Sequence, residues 1–116
     1  MNELKEELLT ALREYVGDNE ESTRKMVNVL LKNLPKNCEE LLNSIKNQNL
    51  KEIKFYAHKT KYSFKILHMQ VEMEKLQQVE KMTEETFDVF IAKRIYSEIE
   101  HKSNLICQEL KEILKA

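Results

Sequence analysis

The chain has 116 residues, about the size of one domain, so two lobes closing on a cleft are not expected and 1–116 reads as a single unit. Hydrophobic residues form 41% and charged residues 34%, too apolar for a disordered chain and too charged for a membrane-embedded one. One Gly and one Pro supply neither the turns of a sandwich or barrel nor a glycine-rich phosphate loop, which leaves helices, and a formal charge of −1 offers no global basic field to nucleic acid or an acidic membrane surface.

The longest apolar runs, such as Val29-Leu30-Leu31, fall far short of the roughly 20 residues that span a bilayer, and no signal-peptide pattern is present. Cys38 and Cys107 are distant in sequence, with no CxxC and no Cys/His cluster. Neither a zinc site nor a disulfide framework is indicated, and a reducing, cytoplasmic setting is expected.

Leu4, Leu8, Leu12, Tyr15 and Val16 recur at helical spacing before Gly17, which predicts a first helix from about Asn2 to Val16. Asp18 with Glu21 three positions later forms a capping-box pattern, and Val27, Leu30, Leu34, Cys38, Leu41 and Ile45 make one apolar stripe. A long second helix from about Asn19 to Asn47 follows from it. Pro35 removes a backbone donor inside this helix and is expected to kink it, because the apolar register continues on both sides. Asn49 with Glu52 opens a third helix, about Leu50 to Leu67, and His68 marks the turn after it. Met69, Met73, Leu76 and Val79 define a fourth stripe. Thr83 with Glu84 and Glu85 predicts the start of a fifth helix, which carries Phe87, Ile91, Ile95, Ile99, Ile106, Leu110 and Ile113. The expected fold is all-α, an antiparallel four-helix bundle with an additional short N-terminal helix packed over one end.

The third helix is the informative one. At about 100° per residue, Ile53, Tyr56, Thr60, Ser63, Phe64 and Leu67 fall on one side, with Ala57 on its flank. His58 is centred on the opposite side with Lys51, Lys54, Phe55, Lys61, Tyr62 and Lys65. Five lysines against Glu52 alone make this segment +4 and leave −5 for the rest of the chain. A charged stripe of this kind is most often just a solvated face. Two features argue for more: the basic charge segregates around one histidine, and an exposed imidazole between ammonium groups suits a transient covalent phosphate whose oxygens those groups would stabilise.

Ala57-His58-Lys59-Thr60-Lys61 resembles the A-H-x-L-K-G signature of histidine-containing phosphotransfer (HPt) domains. The run Val29 to Pro35, then Leu41-Leu42, Ile45, Leu50 and Ile53, resembles the helix that precedes the phosphorylated one in that family, and Leu67-His68-Met69 falls at its Leu-Gly-hydrophobic turn. The likeness covers roughly Asp18 to Met82. It implies that His58 is the phosphoacceptor and Lys61 the residue that steadies the phosphoryl group. It further puts Glu80 where some members place a polar residue beside the histidine, and Lys54, Phe55, Tyr62 and Lys65, beside His58 on the same face, are expected to meet a partner. Three residues depart from the pattern: Thr60 replaces an apolar residue, Tyr62 a glycine that gives a docking receiver room, and His68 the turn glycine.

The expected role is a cytoplasmic phosphoryl carrier, acting as a monomer, between aspartates of receiver domains in response regulators or hybrid histidine kinases. It is not an autonomous kinase, since no nucleotide motif is present, and no cofactor or metal of its own is expected; Mg²⁺ would belong to the partner. The alternative is an HPt-like helical adaptor that has lost phosphotransfer, with Tyr62 as its best support. Side chains on a helix lean toward its N-terminus, so Tyr62 should lie against or over His58 and either obstruct it or turn aside. Turning aside is the expectation, because Phe55 and the lysine stems leave an apolar shelf. Lys61 is expected to be exposed. His68 and His101 read as surface or capping residues, Met69, Met73 and Met82 as core, and Glu3, Glu6, Glu7, Glu84 and Glu85 as helix-start charges.

Overall fold

The computed structural model describes residues 2–115, which form five α-helices and no strand. These are α1 (Glu3–Val16), α2 (Glu20–Lys46), α3 (Leu50–Ile66), α4 (Gln70–Met82) and α5 (Val89–Lys115). An asparagine opens each of the first three: Oδ1 of Asn2, Asn19 and Asn49 accepts the amide of Lys5, Ser22 and Glu52 at 3.2, 2.9 and 3.1 Å. The shared reason is local, since an Asn oxygen satisfies amides that have no partner inside the helix.

Two helix starts differ from the sequence expectation. The cap of α2 is Asn19, not Asp18, because Asn19 holds the extended backbone immediately before the first helical residue; Glu21 pairs instead with Lys25 at 3.4 Å. The fifth helix begins at Val89 rather than Thr83. Thr83 closes α4 by donating its hydroxyl to the Glu80 carbonyl (2.7 Å), and Asp88 Oδ1 accepts the amides of Phe90 and Ile91 at 2.9 and 3.1 Å. Glu84 and Glu85 therefore stand in the connection between helices and complement no helix start.

The turns on either side of α3 are built alike. Gln48 and His68 adopt positive φ (49° and 58°), while Asn49 N–H bonds to Ser44 O (3.1 Å) and Met69 N–H to Phe64 O (2.9 Å). This is the tight left-handed helix ending that glycine usually provides, taken by residues for which it costs about 1–2 kcal/mol. His68 thus does mark the turn. α2 runs unbroken through Pro35, whose ring is exposed, so the missing amide lies on the solvent side.

Each stripe read from the sequence buries itself in a common core: Leu8 and Leu12 of α1, Leu30 and Leu41 of α2, Ile53 and Phe64 of α3, Leu76 of α4, Ile99 and Ile106 of α5. Met69 is buried, and Met73 and Met82 pack against the core, as expected. α3 packs on α4 and α2, α2 on α5, and α1 mainly on α5 and α2, in a compact body of 44 × 24 × 19 Å. Arg24 ties the start of α2 to the end of α5 through the Leu114 carbonyl (2.9 Å), and Lys75 pairs with Glu98 between α4 and α5.

The α2–α5 interface also gathers the two cysteines, which are far apart in sequence. Ser103 lies beside both thiols, and both remain free. Burial pushes the Cys38 thiol up to about 11, so near pH 8 only about one part in a thousand is thiolate. Cys38 is expected to escape iodoacetamide in the folded protein and to react once the chain is unfolded in urea, a difference read by intact mass.

Candidate functional site

The two faces of α3 separate as the helical spacing predicts. Ile53, Ala57, Thr60 and Phe64 are buried, and the Thr60 hydroxyl is satisfied within the helix by the Tyr56 carbonyl at 2.7 Å. On the other side Lys51, Lys54, Phe55, Lys59, Tyr62 and Lys65 are exposed, and the His58 side chain is 67% accessible. Lys61 is the exception. Its side chain is only 20% accessible, because it folds down onto α4 instead of reaching into solvent.

What it meets there is a polar stripe whose residues pair with α3 in reverse order. Lys54 bonds Glu84, His58 Nδ1 lies 3.3 Å from Glu80 Oε1, and Lys61 Nζ donates to Gln77 Oε1 at 2.6 Å. Lys54, His58 and Lys61 on α3 are spaced four and three apart, and Gln77 and Glu80 on α4 three apart with Glu84 in the connection four residues further on, so these side chains face one another. Glu80 is the centre of the stripe. It is buried, one carboxylate oxygen faces the imidazole, and the other lies 2.7 Å from the Lys61 ammonium. That second oxygen accepts no aligned hydrogen bond, so Lys61 supplies it with charge but not with a directed donor.

The carboxylate decides the chemistry of the ring. An ionised carboxylate can only accept, so His58 Nδ1 must donate to it, and in the neutral imidazole the lone pair is then on Nε2. The side chain is therefore oriented with its nucleophilic nitrogen toward the exposed surface.

The rest of the face is amphipathic. Phe55 packs edge-on against Tyr56 with ring centres 5.0 Å apart, and the Lys59 ammonium sits 5.1 Å above the Phe55 ring. Toward the other end a groove of about 470 Å³ between α3 and α4 has His58, Lys61, Tyr62, Lys65, Glu74 and Gln77 among its lining residues. The Tyr62 hydroxyl is 3.3 Å from that of Tyr15 on α1, which draws the ring's polar end toward α1. His68 is exposed and faces Glu14 at 3.3 Å, and His101 is exposed on α5.

Lys54, Phe55, His58, Lys61, Tyr62 and Lys65 thus lie on one continuous side of α3. Gln77 of α4, Tyr15 of α1 and Glu84 of the α4–α5 connection join them; by sequence Glu84 reads as a helix-start charge and Tyr15 as part of an apolar stripe, and Gln77 does not stand out. The signal for Gln77 was present: with Glu80 it sits at helical spacing on the polar side of α4. Among the described residues no three His, Cys, Asp or Glu side chains gather as a metal site, and no helix is long and apolar enough to cross a membrane. No family model, curated protein or solved structure matches the chain.

Proposed function

We propose that this protein is an HPt-like phosphoryl carrier that exchanges a phosphoryl group between His58 and the aspartate of a receiver domain. The observation that carries the reading is the His58–Glu80–Lys61 constellation: an exposed histidine, held at Nδ1 by a buried carboxylate, with an ammonium group one turn further on. The helix pairings support the finer architecture the resemblance implies, α2 to α5 as an antiparallel four-helix bundle with α1 added across it. Cytoplasmic location and action as a monomer belong to the same proposal.

In the transfer step the Nε2 lone pair attacks phosphorus of the receiver's aspartyl phosphate. The N–P bond forms as the acyl P–O bond breaks, and that electron pair stays on the receiver's carboxylate. The ring then bears both a phosphoryl group and the Nδ1 proton and is formally positive. Glu80, accepting from Nδ1, offsets that charge until the proton leaves, as a carboxylate does for a general-base histidine. Lys61 and the neighbouring lysines of α3 offset the phosphoryl oxygens. Phe55 and Tyr62 add the apolar component that a partner interface needs.

The test is incubation with a receiver charged by acetyl phosphate, followed by assay for protein-bound phosphate that is acid-labile and alkali-stable. Appearance of such phosphate is expected, and its absence with any of several receivers would favour the adaptor.

Tyr62 separates the two readings further. With its hydroxyl drawn toward Tyr15, it serves as a docking contact, and both Tyr62→Ala and Tyr62→Gly are expected to weaken receiver binding at least about fivefold. A parent protein that is inert, with both variants transferring rapidly, would make Tyr62 a block instead and support the adaptor. The pair of variants is needed because glycine within a helix costs about 1 kcal/mol on its own account.

A further inference from the structure

The Lys61 ammonium has three donors, and its two neighbours use them differently. Gln77 Oε1, at 2.6 Å, accepts a directed hydrogen bond. Glu80 Oε2, at 2.7 Å, attracts the charge but receives no aligned donor. The amide of Gln77 therefore supplies the aligned acceptor that fixes the direction of the ammonium, beside the attraction of the carboxylate. Gln77 is also neutral, so it orients Lys61 without adding a second negative charge near the imidazole, where a phosphoryl dianion has to be accommodated. It stands on the wall of the groove that holds both His58 and Lys61.

We propose that Gln77 is a positioning residue: it holds the Lys61 ammonium so that its remaining donors meet the phosphoryl group on His58. The proposal rests on His58 being a phosphoacceptor. A flexible lysine with four rotatable bonds spends most of its freedom when it is held in one place, and a partner that holds it in advance removes that cost from the transfer step. Gln77 holds Lys61 on the wall of the groove that His58 also lines, so the ammonium is not placed by the carboxylate alone.

Phosphoramidate, a small phosphoryl donor that phosphorylates histidine directly, tests this without a receiver. The rate at which alkali-stable phosphate appears on His58 is measured in the parent, Gln77→Met, Gln77→Glu, Lys61→Met and the Gln77→Met/Lys61→Met double variant. Methionine matches the length of glutamine and removes only the acceptor. Gln77→Met is expected to slow loading about three- to tenfold, the range for one hydrogen bond to a charged group near a surface. Gln77→Glu is expected to slow it at least as much, because a second carboxylate neutralises Lys61 and repels the phosphoryl oxygens. In the Lys61→Met background the Gln77 effect is expected to vanish, which a merely structural role for Gln77 would not produce. Loading of Gln77→Met at the parent rate, or an equal slowing in both backgrounds, would overturn the role of Gln77 alone. A parent protein that takes no phosphate on His58 would overturn the phosphoacceptor reading and this proposal together.

Discussion

His58→Gln is expected to fold like the parent and to take no phosphoryl group from a charged receiver. The His58 side chain is two-thirds exposed, and a glutamine amide can still donate to Glu80 Oε1 in place of Nδ1, so the replacement costs no more than about 1 kcal/mol of stability. The chemical loss is complete, since an amide has no nucleophilic nitrogen to replace Nε2. His68 and His101 do not substitute for it. The carboxylate beside His68, Glu14, is itself exposed, and neither residue belongs to the Glu80–Lys61 pair. His68→Gln and His101→Gln are accordingly expected to transfer at the parent rate. Loss of transfer in either of those, with retention in His58→Gln, would assign the site to the wrong histidine.

Lys61→Met is expected to lower both stability and transfer, and the first effect is one that the sequence alone argued against. An exposed lysine would be nearly neutral to remove. In the folded protein the Lys61 and Glu80 side chains are 20% and 11% accessible, and taking Lys61 away leaves one oxygen of a buried carboxylate with no cation facing it. The expected loss is about 1–3 kcal/mol in urea unfolding, the cost of an unsatisfied charged group at a largely desolvated position. Transfer is expected to slow about tenfold or more, as when one donor to a developing oxyanion is removed. Adding Glu80→Gln separates the two effects. The double variant regains most of the stability, because the uncompensated charge is gone, but none of the transfer. Unchanged stability in Lys61→Met would mean that Glu80 finds another partner, and unchanged transfer would remove Lys61 from the mechanism.

The residues nearest the chemistry were unevenly legible in the sequence. His58, Lys54, Phe55, Tyr62 and Lys65 could be placed on one face of α3 by counting, because a helix repeats every 3.6 residues and Ile53, Ala57, Thr60 and Phe64 have to face the core. The apolar stripes of all five helices were legible for the same reason, as was the helix cap at Asn49. The start of α5 was not. Thr83 and Asp88 can both cap, and the choice depends on whether Thr83 satisfies a carbonyl of α4 or an amide of α5.

The partners of α3 needed the tertiary structure. Periodicity is a property of one helix, whereas the meeting of Lys61 with Gln77, of His58 with Glu80 and of Lys54 with Glu84 depends on the rotation and register of α4 against α3. That register follows from how Phe64, Leu76 and Val79 share the core, a packing problem whose solution appears in no single helical repeat. The same holds for Tyr15 beside Tyr62 and for Ser103 between Cys38 and Cys107. The sequence by itself determined which residues could face solvent beside His58. Only the packing of α4 decided that its carboxylate would be buried there and that Lys61 would turn inward to meet it.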